Sequence, residues 1–323
     1  FFFQAEDGIR DQPRSRGSEM CIRDRPMTIH LAIHKDENTV FVYIEPEEEE
    51  SEEGAEGREI PELNRSEVAR IATFNIQVFG KTKMDKPTVV SQLVDIVLQY
   101  DMVAVQEVKD IDQTVPYEFL DEINNQSGDT WNMSLSPRSG VNASSSAQEQ
   151  YVYYYNTTVF RELGNGTLYN DSSEDLFQRE PYLATFELLN QSGNSSGFDF
   201  TIFSIHTKPA LAMEEINALH TVVESYRENN TEETDLIILG DFNADCSYAN
   251  SQELWDSPMR LPQYNWLVND LADTTVSSTD CAYDRIVTLD ELNGRLVGSW
   301  GIDTSFNSTD VSDHYPVWFD LYR

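Results

Sequence analysis

The sequence predicts an α/β protein with sheets at its centre and helices outside. Three observations lead there. Runs rich in β-branched and aromatic residues recur along the chain, segments with helical spacing of apolar positions fall between them, and no internal repeat is evident. The 323 residues are 39% apolar and 11% aromatic, enough for one large core or two small ones.

In chain order, "TIHLAIH" and "TVFVYIE" alternate like two strands around the turn "KDEN". The run "EPEEEESEEGAEG" has nothing to bury and predicts a solvated linker. "VARIATFNI" and "DMVAVQEV" read as buried strands, with the helix "KPTVVSQLVDIVLQY" between them. "YEFLDEINN" follows as a short amphipathic helix. "QYVYYYN", "YLATFELL" and "FDFTIFSIHT" read as strands, "LAMEEINALHTVVESYREN" as a long helix, and "DLIILGDFN", "CAYDRIVTL" and "HYPVWFDLY" as further strands.

The domain organisation predicted is residues 1–25 as a non-native segment, 26–65 as an N-terminal remnant hairpin with its acidic linker, and 66–323 as the main, catalytic domain. "QAEDGIRD" and "SRGSEMCIRDR" resemble translated sequencing-adapter DNA, so residues 1–25 are expected to be an assembly artefact. Five acidic and five basic residues cancel there, and the formal net charge of -35 belongs to the remainder. That charge repels phosphate polymers at long range, so any work on nucleic acid or phospholipid needs cations between them. It also fits a salty habitat, where the Debye length falls to roughly 3 Å at 1 M; an activity optimum at low ionic strength would argue against that. No apolar run reaches the length of a membrane-spanning helix.

Polar residues stand where the predicted strands run out. Asn75 follows "IATF", Glu107 follows "MVAVQ", His206 follows "FTIFSI", and Asp241 and Asn243 follow "DLIIL". Asp284 lies in "CAYDRIV", and Asp313 and His314 precede "YPVWF". Each alone has a plain structural explanation, as a turn cap, a paired acid or a satisfied core histidine. Together they line one cleft if the strand ends converge, and burying so many acids without cations is costly. Glu107, Asp241 and Asp313 are hard oxygen donors and Asn75 and Asn243 carry carbonyls, a set suited to Mg²⁺ or Mn²⁺. No Cys/His cluster favours zinc. Paired with carboxylates, the histidines suit proton transfer or contact with phosphate, and the composite is a metal-assisted phosphodiester hydrolase.

"ATFNI", "VQEV", "SIHTKP", "LGDFNADCSY", "CAYDRIV" and "SDHYPV" occur in the order found in the endonuclease/exonuclease/phosphatase superfamily. Within it, "GDFNADCSY" and "ADTTVSSTDCAYDRIV" resemble the secreted deoxyribonuclease I family, from about Val68 to Tyr322. The resemblance implies a four-layer sandwich, two packed mixed β-sheets flanked by helices. It implies Glu107 and Asp241 as Mg²⁺ ligands assisted by Asn75, Asn243 and Asp313. His206 would pair with Glu149 and His314 with Asp284, forming the catalytic set together with Asp241 and Asn243. It implies cleavage of DNA with low sequence specificity to 5′-phosphate ends.

The same resemblance implies a Cys246–Cys281 disulfide, a pair the residues alone leave as either a bridge or two buried thiols. It implies a structural Ca²⁺ site at Asp273, Thr275, Ser277 and Thr279, whose plain alternative is a Thr/Ser-rich turn. Arg179 matches a phosphate contact, and Lys109 stands where the family carries Arg. Other departures are Gln77 in place of an expected Arg, Ala147 in place of a tyrosine, and no small second disulfide in "NDSSEDLFQREP". These weaken the expected grip on the minor groove.

A secreted monomer without an obligate protein partner is expected. Asn-x-Ser/Thr triplets, as at Asn132, Asn142, Asn156, Asn165 and Asn307, lean only slightly toward export, since an Asn- and Ser-rich chain makes many by chance. Two alternatives are a phosphodiesterase of the same superfamily acting on a lipid or small phosphate ester, and a non-catalytic binding module on the same fold. The "CAYDRIV" loop argues against the first and the complete set of roles against the second.

Overall fold

The computed structural model describes residues 64–323 apart from 141, 142, 232, 290, 291 and 293, together with the backbone of Met27–Ile33 and Val40–Pro46. The adapter-like segment and the acidic linker lie outside the described residues. The chain divides into two units, Phe1–Gly54 and Ala55–Arg323. In the first, β1 (Met27–Ile33) pairs antiparallel with β2 (Val40–Pro46), each within a residue of the strand read from sequence.

The second unit holds β3 (Val68–Phe79), α1 (Lys81–Met84), α2 (Pro87–Val97), β4 (Met102–Val108), α3 (Val115–Ser127), β5 (Trp131–Leu135) and β6 (Gln150–Asn156). These are followed by β7 (Phe160–Leu168), β8 (Tyr182–Leu189), β9 (Ser195–His206), α4 (Ala212–Asn229) and β10 (Leu236–Asp241). Then come α5 (Ser251–Trp255), β11 (Tyr264–Trp266), β12 (Asp284–Leu289), β13 (Leu296–Ile302) and β14 (Val317–Tyr322). One sheet has the order β13-β14-β3-β4-β6-β5 and the other β11-β12-β10-β9-β8-β7. Both mix parallel pairs, β3 with β4 and β9 with β10, with antiparallel ones.

The central strands are apolar on both faces because both faces are covered, and the two-residue period divides their side chains between layers. Ile71, Ala104, Tyr153, Phe186, Ile202, Ile237 and Phe319 pack in the layer between the sheets. Their neighbours Phe74, Val103, Val105 and Tyr154 face outward onto Leu93 and Val97 of α2 and Phe119 and Ile123 of α3. On the other side Phe203, Ile205 and Ile238 meet Ile216, Leu219 and Val223 of α4. The result is the expected helix–sheet–sheet–helix sandwich. Gln106 crosses the middle layer, accepting from Thr73 Oγ1 at 3.1 Å and donating to Ser204 Oγ at 3.0 Å.

Strands β3, β4, β9 and β10 all finish at one end of the sandwich, and β6 and β12 begin there. The register breaks at that end, between Asn75 and Phe79 and between Val105 and Val108. Glu107 and Val78 have φ of 60° and 48°, and Asn243 has 48°, conformations that cost on the order of 1–3 kcal/mol each. The bend carries Val78 N to within 2.9 Å of Glu107 Oε2, which it reaches as a donor.

Gly240 has φ 137°, and a Cβ built there would lie 1.9 Å from the carbonyl oxygen of Ile205 on the paired strand. Only glycine lets β9 and β10 approach so closely beside His206 and Asp241. Gly240→Ala is expected to lower stability by about 3 kcal/mol, the upper range for forced overpacking, read from the urea midpoint with unchanged slope. A midpoint equal to wild type would mean that the two strands separate without cost.

Candidate active site

At this end of the sandwich Asp241 Oδ2 is a hub. It accepts from Asn75 Nδ2 at 2.9 Å, and it lies 3.5 Å from His206 Nε2 and 3.6 Å from His314 Nε2. Asn75 Nδ2 also reaches Glu107 Oε1 at 3.3 Å, and Glu107 Oε1 is 4.0 Å from His206 Nε2. Each histidine is held from behind by a buried acid. His206 Nδ1 is 2.8 Å from Glu149 Oε2, and His314 Nδ1 is 2.7 Å from Asp284 Oδ2. Residues spread over some 240 positions therefore meet in one pocket, because the strands that carry them share an end.

Asn243 Nδ2 donates to the carbonyl oxygen of Thr207 at 3.1 Å, and its backbone N–H donates to Asp241 Oδ1 at 2.9 Å. Asp313, partly exposed, accepts from Gln77 Nε2 at 2.7 Å and lies 3.9 Å from His314 Nε2. Gln77, which replaces an expected arginine, is thus bound to an acid of the site. Lys109 Nζ points inward, 3.0 Å from Glu107 Oε2 and 3.1 Å from Glu149 Oε1. Arg179 is likewise occupied by the protein: Nε and Nη2 donate to the carbonyl oxygens of His206 and Thr207 at 2.9 Å, and Nη1 reaches Glu149 Oε1 at 3.3 Å. The two cations read from sequence as substrate contacts both brace Glu149 here.

Residues not singled out from sequence complete the frame. Ser312 Oγ donates to the carbonyl oxygen of Asn75 at 2.6 Å and accepts from the backbone N–H of His314 at 3.1 Å. Thr274 Oγ1 accepts from the N–H groups of Tyr283 and Asp284, and Tyr151 Oη accepts from His206 N at 3.1 Å. Ser312 sits inside the quoted motif "SDHYPV", so position gave a signal; Tyr151 is one of four tyrosines in the strand "QYVYYYN" and gave none.

The loop of Asp273, Thr275, Ser277 and Thr279 folds on itself. Asp273 Oδ1 accepts from Thr275 N and Oγ1 at 3.0 and 2.9 Å, and the hydroxyls of Ser277 and Thr279 are hydrogen-bonded to each other. It is joined directly to the active-site segment: Val276 N donates to Asp313 O and Tyr315 N to Thr274 O, both at 2.8 Å. A disulfide between Cys246 and Cys281 closes a 35-residue separation around this region. By loop entropy it contributes about 4 kcal/mol.

Burial alone would push the Glu149 carboxyl up, but His206, Arg179 and Lys109 hold it well below the usual carboxylate range. Asp241, fully buried, is lowered against the same penalty by His314 and His206. Burial opposes charge on His314, yet Asp284 and Asp241 outweigh it and push the imidazole up to about 10. The acids outnumber the fixed cations, and the buried Asn75 Oδ1 has no hydrogen-bond partner among the described residues. Turning that amide about its last bond would aim the carbonyl at Glu107 and Asp241. A hard divalent cation fits this donor set, which is rich in oxygen and short of positive charge. Asp241, Asp284 and His314 also present donor atoms within 4.8 Å of one another.

The folded pKa of His314 lies above its ordinary value of 6.5. Its contribution to stability is therefore complete below about pH 6.5 and disappears as pH rises through about 10. In EDTA, the difference in urea midpoint between wild type and His314→Gln is expected to shrink over that window. A difference independent of pH would remove the charged imidazole from the account.

Residues 72–314 match the Endonuclease/Exonuclease/phosphatase family. Deoxyribonuclease-1 of Gallus gallus is 36% identical over 263 residues, spanning 77% of this chain and 90% of that protein. Deoxyribonuclease-1 of Homo sapiens is 36% identical over 267 residues with the same spans. Two solved structures share the fold. The human Nocturnin catalytic domain with bound sulfate aligns with TM-score 0.54 and 13% identity over 79% of this chain and 93% of that one. A Neisseria 3′ phosphatase, NExo, bound to a product DNA hairpin aligns with TM-score 0.54 and 16% identity over 79% and 100%. With residues 72–314, which hold every residue of the strand-end pocket, covered by the match, the chain belongs to the endonuclease/exonuclease/phosphatase family.

Proposed function

We propose that residues 66–323 form a secreted, Mg²⁺-dependent, Ca²⁺-stabilised deoxyribonuclease that hydrolyses DNA phosphodiester bonds with low sequence specificity and leaves 5′-phosphate ends. One observation carries it: two histidines, each backed by a carboxylate within 2.8 Å, both bring Nε2 to 3.5–3.6 Å from Asp241 Oδ2 in a chain 36% identical to deoxyribonuclease-1. Tight His–carboxylate pairs fix the ring tautomer and direct each Nε2 toward the hub.

In this reading Glu107 and Asp241 hold the Mg²⁺, or Mn²⁺, with Asn75, Asn243 and Asp313 assisting. The chemistry such an ion supplies is Lewis-acid stabilisation of charge developing on the phosphoryl oxygens. His206, oriented by Glu149, delivers a proton from Nε2 to the departing 3′ oxygen. His314, kept charged by Asp284 and Asp241, contacts and orients the scissile phosphate. Asn243 and Asp241 help to hold that phosphate against the strand ends. Arg179 and Lys109 keep Glu149 ionised and in place, which supports a role as braces beside any contact they make with DNA. Asp273, Thr275, Ser277 and Thr279 form the Ca²⁺ loop. The protein works as a monomer. The described residues contain no helix long and apolar enough to cross a membrane, and the disulfide supports export to an oxidising compartment.

Plasmid nicking in Mg²⁺, with EDTA as control and phospholipid as competing substrate, tests the assignment. His206→Ala and His314→Ala are each expected to lower kcat by about 10²–10⁴-fold with the fold intact by circular dichroism. Near-wild-type turnover in either would remove that residue from the mechanism, and phospholipid cleavage without nicking would change the substrate.

Because the Ca²⁺ loop is hydrogen-bonded to Asp313 and Tyr315, chelating Ca²⁺ with EGTA is expected to speed proteolysis at residues 273–280. It should also lower nicking in Mg²⁺. An unchanged cleavage rate would leave the loop a plain turn.

A further inference from the structure

Glu215 belongs to the first turn of α4, outside the strand ends that carry the pocket, and it is fully buried. A carboxylate taken out of water is costly unless it is fully hydrogen-bonded, so its partners show what it serves. Oε1 accepts from the backbone N–H of Gln178 at 2.9 Å, and Oε2 accepts from the backbone N–H of Lys208 at 2.8 Å. The two donors are 30 positions apart, in different loops. Lys208 Nζ donates to Gln178 Oε1 at 3.3 Å and closes the bridge from the other side. Burial pushes the Glu215 carboxyl up, while those two N–H groups and the Arg179 guanidinium work against it.

Each N–H that Glu215 holds is one residue from a group that fixes the pocket. Gln178 precedes Arg179, whose Nε and Nη2 donate to the carbonyl oxygens of His206 and Thr207 and whose Nη1 reaches Glu149. Glu149 Oε2 lies 2.8 Å from His206 Nδ1. Lys208 follows Thr207, whose N–H donates to Asp241 O at 3.0 Å and whose hydroxyl donates to Phe242 O at 2.7 Å. The main chain of His206 is thus approached from both loops that Glu215 joins.

Apolar packing does not set this register. Phe177 shares a cluster with Ile216 and Leu219 of α4, which seats its loop on the helix, but such contact is non-directional. Directional bonds from one immobilised side chain fix both loops at once. A carboxylate suits the task because it offers two acceptor oxygens and no donor, whereas glutamine would turn an NH₂ group toward one of the N–H groups.

We propose that Glu215 is a positioning residue: by joining the Gln178 and Lys208 loops it holds Arg179 and Glu149 against His206, and so places His206 Nε2 at the departing oxygen. It acts only through those side chains and is not itself catalytic. The inference rests on the proposed nuclease mechanism, in which His206 is the proton donor.

Two substrates separate positioning from folding. The 3′ oxygen of DNA needs a proton to leave, whereas the phenolate of bis(p-nitrophenyl) phosphate does not. Glu215→Gln is expected to lower kcat on duplex DNA by about 10–100-fold with KM within about two-fold, and to lower turnover of the aryl ester by under about three-fold. In a His206→Ala background the same change should cost DNA cleavage no more than about two-fold further, because the group it positions is gone. Hydrogen–deuterium exchange, which needs no turnover, should rise together in peptides spanning residues 177–180 and 206–209. Glu215→Asp, one methylene short of spanning both loops, carries the same measurements if the glutamine variant does not fold. Equal losses on the two substrates, a full loss repeated in the His206→Ala background, a loss confined to KM, or unchanged exchange in both loops would each overturn the proposal. Failure of the wild type to cleave DNA would count against the nuclease reading, and the exchange measurement would still decide for or against the bridge.

Discussion

The constraint on which the rest depends is the burial of Asp241 between two imidazoles. A fully buried carboxylate is costly unless donors and positive charge surround it, and Asn75 with the two histidines supplies both. Each imidazole in turn needs a carboxylate behind it, which places Glu149 and Asp284 in the interior. Glu149 then requires Lys109 and Arg179. One acid at a strand end propagates through the pocket as alternating charge. What remains is an excess of oxygen donors around Glu107, Asn75 and Asp241, the state a divalent cation would relieve.

The scaffold tolerates this because its core is elsewhere. Between the sheets, the buried polar crossing of Thr73, Gln106 and Ser204 comes one or two residues ahead of Asn75, Glu107 and His206, while the layers under the helices run on to the strand ends with Phe79, Val108 and Phe242. The active-site end can therefore hold irregular backbone, with left-handed conformations at Val78, Glu107 and Asn243 and register breaks in β3 and β4. The disulfide and the loop of Asp273 to Thr279 tie the same region from the other side, so that His314 is held by hydrogen bonds from a segment distant in sequence.

The elements legible in sequence share a physical property. Every central strand of either sheet was readable, because burial on both faces demands continuous apolar or aromatic residues. The four strands that pattern reading passes over, β5, β7, β11 and β13, are the four sheet edges. An edge strand buries little: β7 reads "FRELGNGTL" with only Phe160 fully buried, and β11 is three residues long. Nothing in such a segment distinguishes it locally from a loop. Its strand form comes from the neighbour that supplies the hydrogen bonds.

The same division holds at the site. Residue types at strand ends were enough to name Asn75, Glu107, His206, Asp241, Asn243, Asp284, Asp313 and His314, since a polar residue ending an apolar strand is conspicuous and its chemistry is intrinsic. Direction was not. That Lys109 and Arg179 turn inward onto Glu149, that Asn75 offers nitrogen and not oxygen to the acids, and that Gln77 binds Asp313 follow from charges brought together across the sandwich. Composition and order along the chain determine which groups are present; only packing decides which of them meet, because electrostatic and hydrogen-bond energies depend on distance in space and not along the chain.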